Sequence, residues 1–176
     1  MPGSNTPTSN LPDSDDNLAS GVSIVNQQSH PVDSVRLKRV ACQILFDHKW
    51  SQTEISIAIV DDPTIRDLNS RYLDHDYETD VLSFPFEQDA DARRLSGEII
   101  VSADTAIRVA AELGGNPADE LLLYVIHGLL HLLGYNDKQE EDRQLMRAEE
   151  RRCMERAGAS YQAPSEPDSP GGKASR

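Results

Sequence analysis

His127 and His131 stand four residues apart in the run His127-Gly128-Leu129-Leu130-His131-Leu132-Leu133-Gly134-Tyr135-Asn136-Asp137. On a helix that spacing puts both imidazoles on one face, close enough to share a cation. Gly134 follows three residues later and suits the left-handed conformation that ends a helix and turns the chain back. Such a reversal brings Asp137 to the open side of the same ion. Two neutral nitrogens and one carboxylate leave a coordination position for water or substrate, as catalytic metal sites do. A single His on an apolar helix is ordinarily a satisfied core residue; two in register, followed by a glycine stop and an acid, favour a metal. Imidazole pairs suit zinc and its neighbours. The zinc-peptidase pattern also needs Glu directly after the first His as general base, and that position is Gly128.

The segment carrying the histidines opens at Pro117 and is apolar on every side, from Leu121 through Leu133. A helix apolar all round is a buried central one, which would set both rings at the base of a cleft. Around it the pattern predicts a strand at 22–26 and a helix from Pro31 and Asp33 to Trp50. A half-buried strand follows at 54–60 and a short helix from Pro63 to about Tyr72. A short strand at 81–84 is expected to end at Pro85, with an exposed loop over 88–94. The apolar run 97–102 reads as a buried strand. Helices are predicted over 104–113 and from about Lys138 to Ala157, the last turning Leu145, Met146 and Met154 inward. Elements mixed without strict alternation predict an α+β fold: one small mixed sheet of about four strands, packed with helices around the central histidine helix.

A chain of 176 residues suits one domain, expected over 22–158. Residues 1–21 and 159–176 are rich in Ser, Pro, Asn, Gly and charge and read as disordered tails. No apolar run reaches membrane-span length and the N-terminus has no apolar signal core, so a cytoplasmic protein is expected. Cys42 and Cys153, with no Cys-x-x-Cys pair, read as buried free thiols rather than metal ligands. The net charge of −13 opposes nucleic acid at long range, but screening confines the repulsion to about 8–10 Å. Local basic groups at Arg36, Lys38 and Arg39, at Arg93 and Arg94, or at Arg151, Arg152 and Arg156 could still act; each serves equally well as a solvated face.

His127 to Asp137 resembles the signature His-Gly-x-Leu-His-Leu-x-Gly-Tyr-Asp-His of the YbeY family. Thr79-Asp80-Val81-Leu82-Ser83-Phe84-Pro85-Phe86 is similar to that family's second characteristic block. Leu68-Asn69 with Tyr72, and Gly97-Glu98-Ile99, are similar as well. The resemblance covers about residues 22 to 157. It implies a metal-dependent single-strand endoribonuclease acting in ribosomal RNA maturation, including the 3′ end of small-subunit RNA, and in ribosome quality control. Ribosomal RNA and the small subunit with its proteins are then the expected partners. Three positions depart from the pattern. Asp137, after Asn136, replaces the third histidine; Leu73 stands where an arginine usually follows the tyrosine; Glu98 replaces Asp.

The resemblance assigns His127, His131 and Asp137 to one divalent ion, with zinc favoured. With one carboxylate the centre carries less positive charge than three imidazoles would leave, so a bound water is less acidic. Two His and a carboxylate also suit iron or manganese. Arg71 is the candidate phosphate contact in place of Leu73, because guanidinium offers a bidentate fork. Asp80 is the candidate for orienting water or a 2′-hydroxyl, against the plainer role of a turn residue before a strand. Ser83 reads as structural. Phe84 and Phe86 are candidates for stacking an unpaired base, with one of the two expected in the core. Two other classes stay open: a metallopeptidase or amidase, and a ribosome-assembly factor whose metal is structural and whose acidic surface meets basic ribosomal proteins.

Overall fold

The computed structural model describes residues 21–73 and 76–162. Strands β1 (Val22–Asn26), β2 (Gln52–Val60), β3 (Val81–Asp89) and β4 (Arg94–Ser102) form one sheet in the order β1-β2-β4-β3. β1 and β2 run parallel, as do β2 and β4; β3 pairs with β4 antiparallel. Helices α1 (Ser34–Asp47), α2 (Asp62–Leu73), α3 (Ala103–Leu113), α4 (Pro117–Leu132) and α5 (Glu140–Arg156) complete the fold. The architecture is the α+β class that the pattern implies. Among the described residues no helix is long and apolar enough to cross a membrane.

Strand alternation decides what the sheet covers. Ile55, Ile57 and Ile59 of β2 and Leu95, Ile99 and Val101 of β4 share the main core with α1, α4 and α5. Ile100 points the other way and meets Val60, Leu82 and Ile65 of α2 in a smaller cluster. β4 is thus covered on both faces, which is why its sequence is a near-continuous apolar run. From Leu121 to Leu132 every residue of α4 is buried except His127 and His131. Asn116 caps this helix by accepting from Ala118 N–H at 2.8 Å, and Asp119 sits favourably in its first turn.

Two expectations are corrected. Pro85 does not end β3, and the exposed loop expected over 88–94 is confined to the turn 90–93. β3 continues to Asp89, and β4 begins at Arg94. β3 is an edge strand, where a residue without an N–H is tolerated, and a bulge between Pro85 and Glu87 absorbs the ring. The hairpin is closed by the Asp89 carboxylate, which accepts from the N–H groups of Asp91 and Ala92 at 3.0 and 2.9 Å.

Both cysteines are buried and unbridged. Composition reads a tail from 159 onward, yet Ala159–Gln162 lie against the domain, with Ala159 N–H donating to Met154 O at 3.0 Å. Residues 1–20 and 163–176 fall outside the described residues.

Candidate metal centre and its cleft

The end of α4 builds the site from local chemistry. Gly134 takes φ 98°, with its N–H on His131 O and the Tyr135 N–H on Leu130 O, both at 3.0 Å. This paired closure needs a left-handed residue just past the helix, and glycine adopts it without strain. The Asn136 side chain then accepts from the N–H groups of Asp137 and Lys138, at 2.9 and 3.3 Å, in a tight turn that presents Asp137. His127 Nε2 lies 3.0 Å from His131 Nε2, and Asp137 Oδ2 lies 4.0 and 3.7 Å from these two nitrogens. A circle through the three atoms has a radius of about 2.1 Å, the length of a zinc–nitrogen or zinc–oxygen bond.

The protonation pattern leads to the same reading. His131 Nδ1 lies 3.2 Å from the Tyr135 carbonyl and His127 Nδ1 lies 2.6 Å from the Glu150 carboxylate. Both partners accept, so each neutral ring carries its hydrogen on Nδ1 and turns a lone pair outward at Nε2. Two imidazole nitrogens and a carboxylate oxygen therefore converge on one point, where a cation could be held between them. Burial pulls the His127 imidazole down, but Glu150, backed by Asp80 and Asp137, outweighs it and holds the ring above its ordinary value. Burial and the neighbouring His127 leave His131 below its own.

Glu150 escapes a sequence reading, although it is 1% exposed and its second oxygen accepts from the Tyr161 hydroxyl at 3.0 Å. The available signal is its register. On the otherwise charged α5 it shares the buried stripe of Met146, Cys153 and Met154. A carboxylate on the core face of a helix needs a partner. Tyr135 is held in turn by α1: its hydroxyl lies 3.3 Å from His48 Nε2, and His48 Nδ1 lies 2.9 Å from Ile44 O.

A cleft of about 480 Å³ opens beside the triad, and His127, Asp137, Asp80, Glu78, Glu120 and Tyr124 are among its walls. Asp80 sits at the start of β3, where one carboxylate oxygen accepts from the Thr79 hydroxyl at 3.1 Å and from Val81 N–H at 3.0 Å. The turn role and the cleft position therefore coexist in this residue. The preceding segment is tied to α2 by Asn69 Nδ2, which donates to Tyr77 O at 3.0 Å. Burial raises the Glu120 carboxyl despite the hydrogen bond it accepts from Tyr124.

Arg71 does not line this cleft. It lies on α2, 69% exposed, 2.9 Å from Asp67. Four of the eight expected basic residues are paired as well: Arg36 with Asp119, Arg94 with Glu87, Arg152 with Glu149 and Arg156 with Asp47. Neither Phe84 nor Phe86 is part of the main core: Phe84 packs against the smaller cluster beside α2, and Phe86 lies in the bulge of β3. Phe84 is half-buried edge-on to Tyr72, with ring centres 5.5 Å apart, and Phe86 is 68% exposed. Ser83 donates to Gly128 O at 3.3 Å. A Cβ at Gly128 would stand 2.6 Å from the Ile99 methyl, so the position where a peptidase carries its glutamate has no room for a side chain.

The family profile described as Endoribonuclease YbeY matches residues 23–158. This chain belongs to the YbeY family. Relatives carrying that same description include those of Rhodopirellula baltica, Salinibacter ruber and Nitratiruptor. The Rhodopirellula protein is 40% identical over 65% of this chain and 59% of its own length. The Salinibacter protein is 37% identical over 70% and 85%. The Nitratiruptor protein is 46% identical over 57% and 67%. The solution structure of a Thermotoga maritima protein is similar at TM-score 0.58 and 26% identity, covering 77% of this chain and 88% of that one. In this YbeY family member the three donors, Asp80 and Glu150 fall inside the matched stretch; Tyr161 and Gln162 lie beyond its end.

Proposed function

We propose that this YbeY family member is a metal-dependent endoribonuclease of the cytoplasm. It cleaves single-stranded RNA during maturation of ribosomal RNA, at the 3′ end of the small-subunit species, and in ribosome quality control. The observation that carries the reading is the convergence of two imidazole lone pairs and a carboxylate oxygen at the edge of a cleft, in a chain of this family. A divalent ion held there, zinc by preference, would supply Lewis acidity towards a phosphoryl oxygen or a water. His127, His131 and Asp137 would hold it, and Glu150 keeps His127 in the tautomer that offers Nε2.

Asp80, which lines the same cleft, would orient a water or a 2′-hydroxyl. The walls carry Glu78, Asp80 and Glu120, which oppose a phosphate unless positive charge is present. RNA affinity, and not cleavage alone, should therefore depend on the metal. Arg71 would contact a phosphate outside the cleft, since an exposed ion pair such as its pair with Asp67 is weak and easily exchanged. Phe86 offers an exposed ring for a neighbouring unpaired base.

The test sets the purified full chain against single-stranded RNA, structured ribosomal RNA and peptide substrates, with and without chelator. Cleavage of RNA alone, lost on chelation and restored by zinc, is the expected result. Metal-loaded protein that leaves RNA intact would refute the nuclease reading in favour of an assembly factor. RNA cleavage indifferent to chelator would refute the metal.

A further inference from the structure

We infer that Ala159–Gln162, beyond the stretch that the family profile matches, completes the site, and that Tyr161 is a positioning residue for His127 acting through Glu150. The inference rests on the reading of His127 as a metal donor.

The segment is fixed at several points. Ala159 N–H donates to Met154 O at 3.0 Å, and Ser160 N–H donates to Asp119 Oδ2 at 3.1 Å near the start of α4. Asp119 is itself held by Arg36 at 2.9 Å. Between these ties and the cleft, the Tyr161 ring packs against the main core with the Arg151 guanidinium 5.4 Å from its centre. Its hydroxyl donates to Glu150 Oε2 at 3.0 Å while Glu150 Oε1 accepts from His127 Nδ1 at 2.6 Å. One buried carboxylate thus joins the phenol to the imidazole. Burial and the Glu150 charge push the phenol up, so it remains a donor throughout the neutral range. Gln162, the next residue, lines the cleft with His127 and Asp137.

The physical consequence concerns Glu150. A carboxylate 1% exposed keeps its orientation through the donors that meet its two oxygens. Without the phenol, Oε2 loses its partner and the carboxylate becomes free to turn. That loosens the hold on His127 Nδ1 and the orientation of Nε2. Outer partners of metal-ligating histidines typically matter by about 10–100-fold in metal affinity. A phenol acting one step further out should sit near the lower end, about tenfold.

Zinc affinity is measured on the full chain by competition with a chromophoric chelator, for the unaltered protein, Tyr161→Phe, Glu150→Gln and the double variant. Tyr161→Phe keeps the ring against Arg151 and removes only the hydroxyl. Its zinc affinity should fall about tenfold, with a much smaller loss when Glu150 is already Gln. The melting temperature of each metal-free protein is recorded alongside, and a chain ended after Ser160 should lose affinity by the same factor or more. Equal affinity in Tyr161→Phe, or a loss undiminished in the Glu150→Gln background, overturns the inference alone. An unaltered protein that binds no zinc overturns the metal reading, and this inference with it.

Discussion

Replacing Glu150 separates charge from geometry at the candidate centre. The carboxylate meets His127 Nδ1 at 2.6 Å, the short separation of a charge-assisted hydrogen bond. In Glu150→Gln the amide oxygen can still accept from Nδ1–H, and the amide nitrogen can donate to the Tyr161 oxygen once that hydroxyl rotates. Both contacts survive and only the negative charge is lost, so the metal-free fold should melt within a few degrees of the unaltered protein. Zinc affinity should fall about tenfold, or about 1.4 kcal/mol, because the imidazole becomes a weaker base. Glu150→Ala removes the acceptor from two donors. Each buried unsatisfied group costs about 1–3 kcal/mol, offset in part by no longer burying a charge. The metal-free domain should lose about 2 kcal/mol or more, roughly 5 °C in melting temperature, and zinc affinity should fall about a hundredfold. Chelator competition and thermal unfolding read the two quantities separately. Zinc binding by Glu150→Gln as tight as that of the unaltered protein would refute the role given to the carboxylate.

Asp137→Ala should lower zinc content after dialysis, whereas Asp137→His should keep or raise it; content unchanged in both Asp137→Ala and His131→Ala would rule out the site. Arg71→Ala should weaken binding to RNA of any sequence and reduce the salt slope by about 0.7 if the guanidinium meets one phosphate; an unchanged slope makes Arg71 a surface residue. Glu120 is raised in the folded state by burial, so its contribution falls as pH rises through the folded value. Glu120→Gln should therefore raise the melting temperature at pH 7, with the gain vanishing below the ordinary carboxyl value of 4.5. A gain that persists in acid would refute that origin.

The three donors are positioned in two different ways. Helix α4 approaches the sheet so closely at Gly128 that Ile99, Val81 and Ser83 all lie within 3.1 Å of an added Cβ. Packing of this kind fixes the axial position of His127 relative to the start of β3, and so relative to Asp80. Asp137 instead sits on a short turn and is 44% exposed. Its placement depends on Gly134, Asn136 and the anchorage of Tyr135 at His48. Two donors are therefore held by the core and the third by a loop.

What the sequence determined by itself is local. His127 and His131 had to share a face because a helix repeats every 3.6 residues, and Gly134 had to be where that helix reverses because left-handed backbone costs glycine least. The alternation of Ile55, Ile57 and Ile59 likewise told which face of β2 is buried. Tertiary structure decided the rest. Pro85 reads as a strand end until β3 is known to be an edge, and Phe84 and Phe86 acquire meaning only once one sheet face is left partly open by α2. Arg71 matched a chemical requirement in sequence, but its helix sets it against Asp67 and away from the cleft walls. Glu150 lies 23 residues from His127 and reaches it only because α5 packs across α4; Tyr161 reaches Glu150 only because the chain turns back after α5. Backbone periodicity is governed by near neighbours and can be read from a short window. Which buried donor meets which buried acceptor depends on how whole elements pack, and no window contains that.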